Sequence, residues 1–180
     1  MPRVLILLTD GFEEVEMIAP LDVLRRAGAE VTVASLSEHI QAIGRCGVTV
    51  QSDTALAAIP DDAVFDLLLL PGGPGVKNLR ADPRVRTWVL AQHAAQRWLA
   101  AICAAPTVLN DAGLLSGRRY TAHASVANEL PAILEKERVV VDGNIVTSRG
   151  AGTALDFGLK LVELLVSPAK AQEVATSIHA

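Results

Sequence analysis

Three apolar runs without a polar interruption constrain this fold more than any other feature: Val4–Leu8, Leu67–Leu70 and Leu99–Ile102. A strand with one face in water alternates apolar and polar residues. Runs that do not alternate belong to strands covered on both faces, as in the middle of a parallel sheet. Parallel neighbours need crossover connections, usually helical, and helical signals follow the first run. Thr9-Asp10-Gly11 supplies a turn and a cap. Val15, Ile18, Leu21 and Leu24 form an apolar stripe at helical spacing, closed by Arg25-Arg26 and Gly28. Pro20 lies inside that stripe and predicts a kink or a break. Strands alternating with helices over 180 residues indicate one α/β domain, a sandwich with a mainly parallel sheet.

The remaining chain fits that plan. Val31–Ala34 reads as a second strand, and Gln41–Ile43 with Val48–Gln51 as a hairpin around Gly44-Arg45-Cys46-Gly47. The strand Phe65–Leu70 runs into Pro71-Gly72-Gly73-Pro74-Gly75. Asp82-Pro83 opens a helix to about Arg97, with Val85, Val89 and Leu90 inward. A short helix Thr107–Ala112 and a brief strand Tyr120–Ala122 follow. Val139–Val141 and Ile145–Thr147 pair across Asp142-Gly143-Asn144. The last long helix, roughly Thr153–Val166, is expected to bury Leu155, Leu159, Val162 and Val166, and Pro168 starts a final one. Aromatic residues are only 3% of the chain, so Leu, Val, Ile and Ala must fill the core.

Composition also narrows the partners. The net charge of −4, with no basic cluster among aromatics, argues against nucleic acid. No stretch is long enough to span a membrane, and Val4–Leu8 is too short for the core of a signal peptide. Two cysteines make no disulfide framework. The expectation is a cytoplasmic protein with reduced thiols.

Chemistry-bearing residues gather at three strand-to-helix turns, which a parallel sheet places along one edge. Cys103 ends the run Leu99–Ile102 and precedes Ala104-Ala105-Pro106, with Pro106 suited to a first helical turn. The following helix N-terminus favours a thiolate there; a buried structural cysteine is the competing reading. Glu16 sits within Val15-Glu16-Met17-Ile18, near the inward face, where a carboxyl is neutral or shares a proton; a solvent-facing helical Glu is the alternative. Glu13 and Glu14 suit the positive end of the helix and read as solvated. Gly72 and Gly73 leave their amides open to a substrate and, with Ala104, are candidates for an oxyanion site, unless they form only a tight turn. His123, after Tyr120-Thr121-Ala122, is a candidate to orient the thiol or carry a proton, against a plain loop histidine. No set of Cys, His and carboxylates has metal-ligand spacing, so no metal is expected. The loop Ser148-Arg149-Gly150-Ala151-Gly152-Thr153 has the flavour of a phosphate loop without its Gly-Lys-Ser/Thr ending.

Together these segments resemble the ThiJ/PfpI superfamily, in the branch of Parkinson disease protein 7 and the YajL-type bacterial chaperones. The resemblance rests on Gly11–Glu16 followed by Pro20–Gly28, on Leu70-Pro71-Gly72-Gly73, on Ala101–Pro106 and on Thr147–Thr153. It implies a flavodoxin-like three-layer sandwich of the class I glutamine amidotransferase type, and a homodimer. It also implies a nucleophilic cysteine paired with a protonated glutamate, which fall on Cys103 and Glu16, a nearby histidine on His123, and oxyanion amides on Gly73 and Ala104. Peptidase-like members place a histidine directly after the nucleophile; here that position is Ala104. The amidotransferases' His-x-Glu pair is absent, and Arg45-Cys46 stands out of register with the branch's hairpin arginine.

The function this implies is a cofactor-independent glyoxalase or deglycase acting on methylglyoxal-type α-oxoaldehydes or early glycation adducts, including glycated protein. The alternative is a redox-responsive chaperone or oxidative-stress sensor whose cysteine oxidises without turnover. A cysteine peptidase or hydrolase ranks behind both.

Overall fold

The structure is a computed structural model and describes all 180 residues. In chain order the elements are β1 (Arg3–Leu8), α1 (Glu14–Arg26), β2 (Glu30–Ser35), β3 (Gln41–Ile43), β4 (Thr49–Gln51), β5 (Thr54–Ala55) and β6 (Leu67–Leu70). Then come α2 (Val76–Ala81), α3 (Pro83–Ala94), β7 (Trp98–Ile102), α4 (Pro106–Asp111), β8 (Val139–Asp142), β9 (Ile145–Ser148), α5 (Ala154–Leu165) and α6 (Pro168–Ser177). Seven strands form one sheet in the order β5-β2-β1-β6-β7-β9-β8. All neighbours run parallel except β8, which pairs antiparallel with β9 at one edge. The hairpin β3–β4 stands apart from that sheet.

The apolar runs behave as their lack of alternation requires. Val4, Ile6, Leu8, Leu67, Leu69, Ala100 and Ile102 face one cluster, completed by Met17 and Leu24 of α1, Phe157 and Leu161 of α5 and Val174 of α6. Leu5, Leu7, Leu68, Leu70, Leu99 and Ala101 face the other, under α2, α3 and α4. Each strand thus feeds two cores, and the molecule is the expected three-layer α/β/α sandwich with a mainly parallel sheet. Chain order reverses direction between β1 and β6, so the crevice beyond their carboxyl ends is the topological switch point where such sheets bind ligands.

Helix orientation is where the sequence misleads. Helix α1 buries Glu16, Met17, Pro20, Val23 and Leu24, whereas Val15 and Ile18 are 49% and 42% exposed. Pro20 neither breaks nor divides the helix, which is continuous from Glu14 to Arg26. The cause is α5: Gly158 has no side chain, so the backbone of Pro20 and the side chain of Val23 pack directly on it. Helix α5 is turned likewise, burying Ala154, Phe157, Gly158, Leu161 and Val162 while Leu155 and Val166 are exposed. Leu90 of α3 also faces out. Tyr120–Ala122 forms only an isolated bridge to Ile133; the Thr121 N–H donates to the side-chain hydroxyl of Thr147 in β9 and not to a backbone carbonyl. Helix α2 was masked in the sequence by the turn residues Pro74-Gly75 directly before it.

Candidate active site

The turns after β1, β6 and β7 meet in one cavity of about 410 Å³ that includes Glu13, Glu16, Gly73, Cys103, Ala104 and His123 in its lining. Cys103 leaves β7 with φ +66°, the left-handed region that costs a non-glycine residue about 1–2 kcal/mol. Two backbone bonds hold it there: the Cys103 N–H donates to the Ser148 carbonyl at 3.0 Å, and the His123 N–H donates to the Cys103 carbonyl at 2.8 Å. Strain of this kind persists only where surrounding structure enforces it, and such positions concentrate at functional sites. Nothing in the local sequence announces it.

Glu16 reaches the cysteine from α1 and is only 1% exposed. Its Oε2 accepts the Gly72 N–H at 3.0 Å. Gly72 is required by this closeness: a Cβ there would collide with Glu16 Oε2 and lie 2.5 Å from the Cys103 Cβ. The same bond corrects one expectation. The Gly72 amide is taken up by Glu16, so Gly72 positions the carboxyl and does not face a substrate. The amides of Gly73 and Ala104 donate to no backbone carbonyl, and both act to lower the Cys103 pKa.

Burial pushes the Glu16 carboxyl up to about 7; the Cys103 thiol and the Gly72 and Ala151 amides pull it down, while the nearby Glu13 charge raises it. Burial, and then the Glu16 charge, push the Cys103 thiol up to about 12, against the pull of the Gly73 and Ala104 amides. Both groups are driven towards their neutral forms, so the pair carries at most one negative charge at neutral pH. Sulfur and carboxyl share that charge as a coupled pair, and the thiolate beside a carboxylic acid is one of its two singly charged states.

His123 is exposed at the cavity rim. Its Nδ1 pairs with the Ser125 hydroxyl at 2.8 Å and caps the turn Ala124–Val126, and its ring makes no hydrogen bond to Cys103. The expected orientation of the thiol by the imidazole is therefore absent; the histidine backbone supports Cys103 instead. Glu13 and Glu14 are not free in solvent. Glu13 forms an ion pair with Arg45 at 3.3 Å, and Glu14 Oε1 accepts the Cys46 N–H at 2.8 Å. Glu13, the extended residue that caps α1, lines the cavity instead of standing in solvent as the sequence suggests. The fold also brings ligand atoms of Glu13, Glu14 and Cys46 within 4.8 Å of one another, a grouping their sequence spacing did not suggest.

Residues 2–164 match the model of the DJ-1/PfpI family. Protein dj-1beta of Drosophila melanogaster is 41% identical over 178 residues, covering 97% of this chain and 95% of that protein. Its crystal structure superposes with a TM-score of 0.95 over 99% of this chain and 98% of the fly chain. DJ-1 homolog A of Arabidopsis thaliana is 40% identical over 96% of this chain, which spans 45% of the plant protein. A Caenorhabditis elegans protein named glutathione-independent glyoxalase DJR-1.2 is 34% identical over 92% of this chain and 89% of its own length. No helix here is long and apolar enough to cross a membrane.

Proposed function

The chain belongs to the DJ-1/PfpI family, and from that premise we propose that it is a cofactor-independent glyoxalase or deglycase converting α-oxoaldehydes such as methylglyoxal to hydroxy acids. The observation that carries this reading is a buried Glu16 carboxyl with a raised pKa facing Cys103, beside two unused amides. The name of the Caenorhabditis elegans relative supports the substrate class.

Cys103 attacks the aldehyde carbon of methylglyoxal as its proton passes to the Glu16 carboxylate, and Glu16 returns that proton to the new alkoxide, giving a hemithioacetal and a free carboxylate. The Gly73 and Ala104 amides hold the oxygen that becomes negative in this step. Glu16 then takes the hydrogen of the aldehyde carbon as a proton and delivers it to the neighbouring ketone carbon by way of an enediol, while the hydroxyl proton on the first carbon passes to the former ketone oxygen, leaving a lactoyl thioester on the sulfur. Water cleaves the thioester, releasing lactate and restoring the thiol. His123 at the rim is assigned to hold that water. A carboxyl titrating near 7 suits both directions of transfer at neutral pH. The protein works as a homodimer in the cytoplasm, where its two free cysteines remain reduced.

Lactate formation from methylglyoxal by the purified protein tests the proposal. Turnover that disappears in Cys103→Ala is expected. Lactate no faster than in that variant removes the enzyme reading, and sulfinate at Cys103 after mild peroxide would then favour the redox sensor.

A further inference from the structure

We infer that a second cavity, beside the Cys103 site, receives a phosphate ester carried by the substrate; this rests on the aldehyde-converting function just proposed. The cavity has a volume of about 660 Å³ and is lined by His123, Lys136, Arg138, Arg149 and the loop Gly150–Thr153, with no acidic residue. Three cations in one concavity invert the local sign on a chain of net charge −4. His123 and Ala151 line both cavities, so the two adjoin at these residues.

The cations differ in how they are engaged. Arg138 is committed to Asp156, at 2.5 Å, and to the Gly152 carbonyl, at 2.8 Å, which fixes that side of the loop. Arg149 is half-buried and bonds only to the carbonyl of Glu135, a neutral partner. Lys136 is exposed and joins none of the ion pairs. Within the loop, the Gly150 N–H is taken by the Thr153 hydroxyl and the Thr153 N–H by the Gly150 carbonyl, so the charge for binding comes from the side chains. Side chains are therefore the recognition element, and two uncompensated cations match a dianion. A guanidinium fork beside an ammonium suits the oxygens of a phosphate ester, whereas a carboxylate would satisfy the arginine alone.

The preferred substrate is then an α-oxoaldehyde with a phosphate ester a few atoms beyond its carbonyls. The test compares kcat/KM for methylglyoxal with that for methylglyoxal bearing a phosphate ester on its methyl carbon. The native protein is expected to favour the phosphorylated aldehyde about tenfold, with Lys136→Gln and Arg149→Gln each lowering that preference roughly fivefold. Added salt should erode it. Independently of turnover, inorganic phosphate should shift the amide resonances of residues 150–153 in the Cys103→Ala protein. Equal kcat/KM for the two aldehydes, with no shift on adding phosphate, overturns the inference. Phosphate shifts in a protein that converts neither aldehyde would uphold the anion site and reject only the aldehyde chemistry.

Discussion

At the scale of single residues the site turns on a carboxyl whose proton is held far above its ordinary range. Glu16 titrates near 4.5 in an unfolded chain and near 7 here. Between those values unfolding releases a proton, so rising pH favours the unfolded state. The stability linked to Glu16 is complete below about pH 4.5 and is lost as pH rises to about 7, some 3 kcal/mol in total at 1.36 kcal/mol per pH unit. Glu16→Gln has no such proton. Its stability relative to the native protein should rise by most of that amount between pH 5 and pH 8, as read from urea unfolding at both values. Parallel behaviour of the two proteins would mean that Glu16 ionises as it does in water. The same variant has a second signature. The Glu16 charge helps raise the Cys103 pKa, so removing it should lower that pKa and speed alkylation by iodoacetamide at pH 8, even as lactate formation stops. Unchanged alkylation would uncouple the two groups.

At the scale of elements, the close crossing of α1 over α5 decides which face of each helix is buried. Alanine in place of a helical glycine ordinarily stabilises by about 1 kcal/mol. At Gly158 a Cβ would lie 2.8 Å from the Pro20 Cα and 2.6 Å from a Val23 methyl. Backbone cannot yield as a side chain does, so Gly158→Ala should destabilise by about 1–3 kcal/mol, the usual cost of overpacking. A raised melting temperature would show that the helices part freely. This crossing also explains what the sequence disclosed and what it withheld. Strands buried on both faces were legible because Val4–Leu8 and Leu67–Leu70 permit no other placement. Helix faces were not, because Val15 and Ile18 match the stripe as well as Met17 and Pro20 do, and only the partner helix selects between them. Cys103, Glu16 and Gly73 could be marked at strand ends and on one helix. The positive φ of Cys103, the capture of the Gly72 amide and the Glu13–Arg45 pair all depend on contacts made across the fold.

At the scale of the whole molecule, the apolar side chains left outside the two cores mark a surface. Val15 and Ile18 of α1 are exposed, as are Ile43 and Val48 of the hairpin segment. The hairpin is bound to the start of α1, so these side chains stand on joined segments. The Gly11 N–H donates to the Ile43 carbonyl, the Arg45 N–H to the Phe12 carbonyl, and Glu14 Oε1 accepts from Cys46. A second copy is the occupant proposed for it. An isologous pair buries the same patch on both chains, and four large aliphatic side chains per copy supply the apolar centre such an interface needs. The hairpin also carries Arg45, whose partner Glu13 lines the Cys103 cavity, so this surface borders the site. Light scattering at micromolar concentration should give the mass of two 19.0 kDa chains. Val15→Glu combined with Ile18→Glu places two carboxylates against their symmetry mates and should halve that mass. Both positions are already in water in the single chain, so far-ultraviolet circular dichroism should be unchanged. A native protein that is monomeric under these conditions would remove the dimer and leave the exposed patch without its proposed partner.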